Sequence, residues 1–200
     1  MARTTVVSVV AALLLALAVP VSPEEGWSRR LTELTAQEAI AGWPALAHRT
    51  ALMTIERYGR PDAVSEDALV WRGNGPWLKT TVHSRALTRR AYRRDVDFLE
   101  NTVRYDVPRR FREDLARFDP GLSWNGARGE LSSRAESEEL NMLALNLADE
   151  IVSGVRGVDE VIAVRARILR FAASGKASPY LRGLKFAQSS QSRSLSFLGR

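Results

Sequence analysis

The feature that most limits how this chain folds is Gly73-Asn74-Gly75-Pro76, set between two strand-like runs, Ala68–Arg72 and Trp77–Ser84. Gly and Asn tolerate the positive backbone angles of a tight reversal, so the segment predicts a β-hairpin. A second turn signal, Asn125-Gly126, joins Leu122–Trp124 to Arg128–Arg134. Between the two, Val103, Tyr105 and Val107 alternate before Pro108 and predict one further strand. Arg109–Phe118 predicts a short helix that Asp119-Pro120-Gly121 ends.

Helical periodicity brackets this strand-rich middle. In Pro44–Tyr58, residues His48, Ala51, Leu52, Ile55 and Tyr58 fall within one sector of about 120°, and Gly59 and Pro61 stop the run. Residues 136–153 carry the stripe Leu140, Leu143, Leu147 and Ile151, with Ser133 and Glu136 as a candidate capping box and Gly154 at the end. Val158–Ala173 forms a second stripe through Val161, Ile162, Leu169 and Ala172. The order predicts an α+β fold: an N-terminal helix, a small antiparallel sheet of about five short strands, and a C-terminal helix pair.

The ends carry different information. Arg3, the apolar run Val6–Ala18 and the polar start at Glu24-Glu25 predict a signal peptide over residues 1–22. The chain is therefore expected to be exported, periplasmic or secreted, with no transmembrane span once the leader is cleaved. An uncleaved anchor is the alternative; the uncharged run Thr4–Val21, broken by Pro20, is marginal against the ~20 residues that a span needs. Residues 23–43 read as a lead-in, 44–186 as a single α+β domain and 187–200 as a flexible basic tail. The absence of cysteine excludes a lipobox, disulfides and thiolate chemistry. Of the +6 net charge, one unit lies on Arg3 and five on Lys176, Arg182, Lys185, Arg193 and Arg200, which leaves residues 23–175 neutral. A nucleic-acid protein concentrates charge on its folded face, so no nucleic acid is expected as partner.

Candidate site residues follow from local chemistry. His48 and His83 have no metal-binding spacing, and neither a metal nor a cofactor is expected. No Gly-x-Ser-x-Gly elbow announces a serine nucleophile. Glu139, Asn146 and Glu150 share one edge of a helix, but the two carboxylates are about 16 Å apart along its axis, too far for a glycosidase pair. Arg165 interrupts an apolar stripe and requires a partner, for which Glu130, Glu139 and Glu150 are the candidates. Arg89, Arg90, Arg93 and Arg94, around Tyr92, form a candidate anion site, with Asp95, Asp97 and Glu100 placed to neutralise it. Trp71 and Trp77 flank the hairpin turn and either pack across it or project to grip a sugar ring or lipid chain.

Seven segments recur in an order that resembles an uncharacterised family of exported bacterial proteins. They are Tyr58-Gly59-Arg60-Pro61-Asp62, Leu69-Val70-Trp71, Gly75-Pro76-Trp77, Asp97-Phe98-Leu99-Glu100, Tyr105-Asp106-Val107-Pro108, Gly129-Glu130-Leu131-Ser132 and the helix Asn141–Ala148. The resemblance spans residues 43–186 and implies export without implying an activity. In that family a Pro-His pair stands where this chain has Arg93-Arg94, and a Cys often stands at Ala135. A reactive or metal site built on those residues would be lost here. The first half, a helix, Tyr-Gly-x-Pro-Asp and a hairpin, is also similar to small outer-membrane assembly lipoproteins. The leading expectation is a non-catalytic envelope binding or interaction domain, its partner an envelope protein or an anionic envelope surface. The alternative is a hydrolase using Glu130, Glu139, Glu150 and Arg165. A third reading is a surface-associated protein held by its basic tail.

Overall fold

The computed structural model describes residues 35–87 and 96–188. The expected leader, residues 23–34 of the lead-in, the candidate anion-binding Arg89, Arg90, Arg93 and Arg94, and residues 189–200 of the expected tail lie outside the described residues.

The architecture is α+β. Six strands, β1 (Ala63–Val64), β2 (Ala68–Arg72), β3 (Lys79–His83), β4 (Leu99–Arg104), β5 (Leu122–Asn125) and β6 (Glu130–Ala135), form one antiparallel sheet in the order β1-β2-β3-β4-β6-β5. Among the described residues five α-helices accompany them: α1 (residues 35–41), α2 (Ala45–Tyr58), α3 (Arg112–Phe118), α4 (Glu138–Val152) and α5 (Val158–Ala173). The register sets Trp71 against Thr80, Thr80 against Asn101 and Asn101 against Ser133, so these side chains share one face of the sheet. Helix α2 covers that face over β3, and α4 covers it over β4 and β6. Helices α3 and α5 pack on α4 as a third layer. Sandwiched this way, α4 is buried continuously from Asn141 to Ala148.

The core has two parts. Ala36, Ile40, Trp43, Ala47 and Ala51 meet Leu69, Trp71 and Val82 under α1 and α2. Val103, Leu131, Leu143, Leu147, Leu115 and Val161 belong to a larger cluster around α4. Tyr58 touches both.

Several expectations need correction. The folded body reaches back past residue 44, because Ala36, Ile40 and Trp43 are core residues and the Trp43 indole donates to Glu66 O at 2.8 Å. It also reaches Gln188, whose side chain accepts from Arg104 N at 3.0 Å and donates to Pro76 O. The central strand lies at Leu99–Arg104, earlier than the alternation at Val103–Val107 suggested, since pairing with β3 and β6 ends there. Beyond it Tyr105 N still reaches the neighbouring loop, at Gly129 O. The two-residue β1 was not expected; it extends the edge by pairing Ala63 with Val70 and Val64 with Leu69.

Helix α2 buries Ala47, Ala51 and Thr54 and leaves Leu52 exposed, since small residues let a helix sit close over the bulky Trp71. The α4 cap is Ser137, whose hydroxyl accepts from Leu140 N, while Ser133 belongs to β6. Helix α5 has the expected bounds but buries Val158, Val161, Val164 and Ile168, and Ile162 is exposed.

Candidate functional site

Among the described residues, those singled out from sequence do not converge. Arg165 pairs with Asp119, Nη1 to Oδ2 at 2.9 Å, and with none of Glu130, Glu139 or Glu150. Asp119 ends α3 and also accepts Gly121 N at 2.8 Å, so the pair ties α5 to the turn after α3. The Arg165 guanidinium also lies over the Phe118 ring at 5.6 Å. Asn146 donates to Tyr180 O and Gly183 O at 3.1 and 2.9 Å and accepts Lys185 N at 2.7 Å. Its amide is committed to backbone and leaves no reach for a ligand.

Glu150 accepts the Tyr180 hydroxyl and pairs with Arg156. Burial first, then the bond to Glu150 and its charge, push the Tyr180 hydroxyl up. Glu130 pairs in register with Arg104 on the sheet face turned away from α4, and Glu139 is exposed at the opposite end of α4 from Glu150. Trp71 and Trp77 are each 2% exposed, which rules out a projecting pair. They enter different core clusters, and the Trp71 indole donates to Gly59 O at 2.9 Å.

His48 is half-buried on α2, and His83 lies 3.1 Å from Glu100. Burial pushes the Glu100 carboxyl up, but the hydrogen bond from His83, with the charges of His83, Lys79 and Arg134, outweighs it and holds the carboxyl below its usual range.

A different set of residues does come together. The last turns of α2 and the first turn of α4 diverge over Leu99, leaving a crevice of about 160 Å³ lined by Thr50, Met53, Thr54, Arg57, Tyr58, Glu136, Ser137, Glu138 and Glu139. Glu138 is the first residue of α4, where the helix dipole favours a carboxylate. Its side chain is only 6% exposed. Desolvation of that charge is offset by the Tyr58 hydroxyl, which donates to Oε1 at 2.6 Å, and by Arg57 Nη2, 3.2 Å from Oε2. Burial, the bond to Glu138 and its charge push the Tyr58 hydroxyl up to about 12; Arg57 and the Trp77 indole pull the other way.

A polar seam runs inward from this crevice. Asn141, one turn along α4, donates to Asn101 Oδ1 at 2.7 Å and to Leu99 O at 3.0 Å. Asn101 donates to Thr80 Oγ1 at 2.9 Å, and Asn74 of the hairpin turn donates to the same oxygen at 2.8 Å. The seam links α4, β4, β3 and the turn in one buried network. The signal for it was present in the sequence as Asn141, which with Asn146 is polar in the apolar stretch Asn141–Ala148; Asn146 holds the 180–185 segment instead.

The crevice hydroxyls are all engaged. Thr50 donates to Leu46 O, Thr54 to Thr50 O, and Ser137 caps α4. What remains available is carboxylate at the exposed rim, Glu136 and Glu139, beside the exposed thioether of Met53, while Glu138 within is held by Tyr58 and Arg57. Such a lining accepts hydrogen bonds from a cationic group carried on an apolar stem. No protein-family model, curated protein or solved structure matches this chain.

Proposed function

We propose that this chain is a non-catalytic binding or interaction domain of the cell envelope, exported by its leader, and that the α2–α4 crevice receives its partner. The observation that carries the reading is the pair of exposed acids, Glu136 and Glu139, at the rim of an open crevice whose inner wall already holds the paired Glu138. A lysine or arginine side chain of a partner protein has the matching chemistry: a cationic tip for Glu136 and Glu139, and an apolar stem for Met53 and Leu99. What supports binding over hydrolysis is the separation of Glu130, Glu139, Glu150 and Arg165, which occupy four different places in the fold. The resemblance to exported bacterial proteins supports the envelope location.

The test is site-specific photo-crosslinking in the exporting cell. A crosslinker at position 53 should give a discrete adduct, one at exposed Arg128 should not, and Glu136→Lys with Glu139→Lys should abolish the adduct while leaving the circular dichroism unchanged. An adduct that survives both charge reversals, or equal labelling from the two positions, overturns the reading.

A further inference from the structure

Helix α5 turns one side to α3 and α4 and leaves the other open. On the open side stand Arg167 and Arg170, with exposed Ile162 on one flank and exposed Phe171 on the other. Lys176 follows the helix, its ammonium 5.4 Å from the centre of the Phe171 ring. Glu160 is the last acidic residue of the chain, so nothing from residue 161 onward offsets these cations. The two acids of the first turn of α5 are already engaged, Asp159 with Arg117 at 3.6 Å and Glu160 with Arg156 at 3.1 Å. Among the described residues, Arg167, Arg170 and Lys176 meet no carboxylate. The neutral balance of the body thus conceals a charge separation, with the excess of cations on one helix face.

We propose that this face of α5 docks on a membrane surface rich in anionic lipid headgroups. Guanidinium groups pair with headgroup phosphates, and Ile162 and Phe171 enter the boundary between headgroups and acyl chains, where apolar and aromatic side chains lose contact with water. A nucleic-acid backbone offers the same phosphates but no medium for an exposed Ile and Phe, which is why the lipid surface is favoured. With three cations and two apolar anchors the attachment is weak, reversible and salt-sensitive. The proposed export decides only which leaflet the helix meets; binding to vesicles in vitro holds or fails without it.

Co-sedimentation of the purified protein with vesicles tests this. Phosphatidylcholine vesicles containing about 30% phosphatidylglycerol should bind it at low salt, and pure phosphatidylcholine should not. Each cation near the surface adds about fivefold to partitioning, so Arg167→Ser with Arg170→Ser should lower it on the order of 25-fold. Ile162→Ser with Phe171→Ser should weaken it as well. Arg49→Ser with Arg72→Ser, which removes the same charge from exposed positions on α2 and β2, should change it less than about twofold. The proposal is overturned if the two charge pairs act equally, if truncation after Gln188 abolishes binding, or if anionic vesicles bind no better than neutral ones. Displacement of the vesicles by double-stranded DNA of comparable affinity would overturn it in favour of a nucleic-acid surface.

Discussion

Arg165 and Arg167 stand two residues apart on α5 and meet different surroundings. Arg165 holds Asp119, a carboxylate whose side chain is 3% exposed, while Arg167 faces solvent. Arg165→Ala should lower stability by about 1–3 kcal/mol, less than a fully buried pair because the guanidinium itself is partly exposed. Arg167→Ala should stay within about 0.5 kcal/mol. Urea midpoints measure both, and equal midpoints would contradict the pairing. Tyr58 gives a second expectation at this scale. Its hydroxyl is pushed up to about 12, so the folded chain holds that proton more tightly than the unfolded one. The resulting stability is complete below pH ~10 and is lost as pH rises through ~12, on the order of 1 kcal/mol after solvent screening. Tyr105, raised by burial and by its bond to Asp149, acts with the same sign. Tyr58→Phe should flatten the alkaline slope of thermal stability and remove one late step from the tyrosinate absorbance titration.

At the scale of elements, α4 organises its surroundings through two asparagines. Asn141 fixes it to the sheet, and Asn146 fixes the 180–185 segment to it. Asn146→Ala leaves two partly buried carbonyls and one amide without this partner, which should cost about 1–2 kcal/mol. Amide exchange should accelerate at Lys185 and at its neighbours before the sheet is affected. Unchanged exchange at Lys185 would show that packing of Tyr180 and Phe186 holds the segment alone. The bounds of α5 were legible because Gly157 and Gly175 bracket a run with sustained periodicity, and α4 was legible to within two residues. The phases of α2 and α5 were not. Periodicity counts Leu52 and Ile162 as core by their hydrophobicity, yet the neighbour decides which side is buried. Over Trp71 the sheet admits Ala47 and Ala51 and excludes the larger Leu52.

For the molecule as a whole, the two-part core sets where the domain begins. A chain starting at residue 44 loses Ala36, Ile40 and Trp43, of which Trp43 alone accounts for ~3–5 kcal/mol on the scale of large core truncations. Such a chain should melt well below one starting at residue 35, and equal melting temperatures would place the first helix outside the folding unit. By itself the sequence determined the class of the fold, the hairpin and the two long C-terminal helices. These follow from local rules: turn residues, repeat periods and the absence of cysteine constrain a chain wherever it lies. Tertiary structure alone decided that β6 runs between β4 and β5, that Arg165 meets Asp119, and that Tyr58 meets Glu138 eighty residues away. Such pairings join residues that share no local pattern, because a buried charge is matched by whichever partner the packing brings within reach.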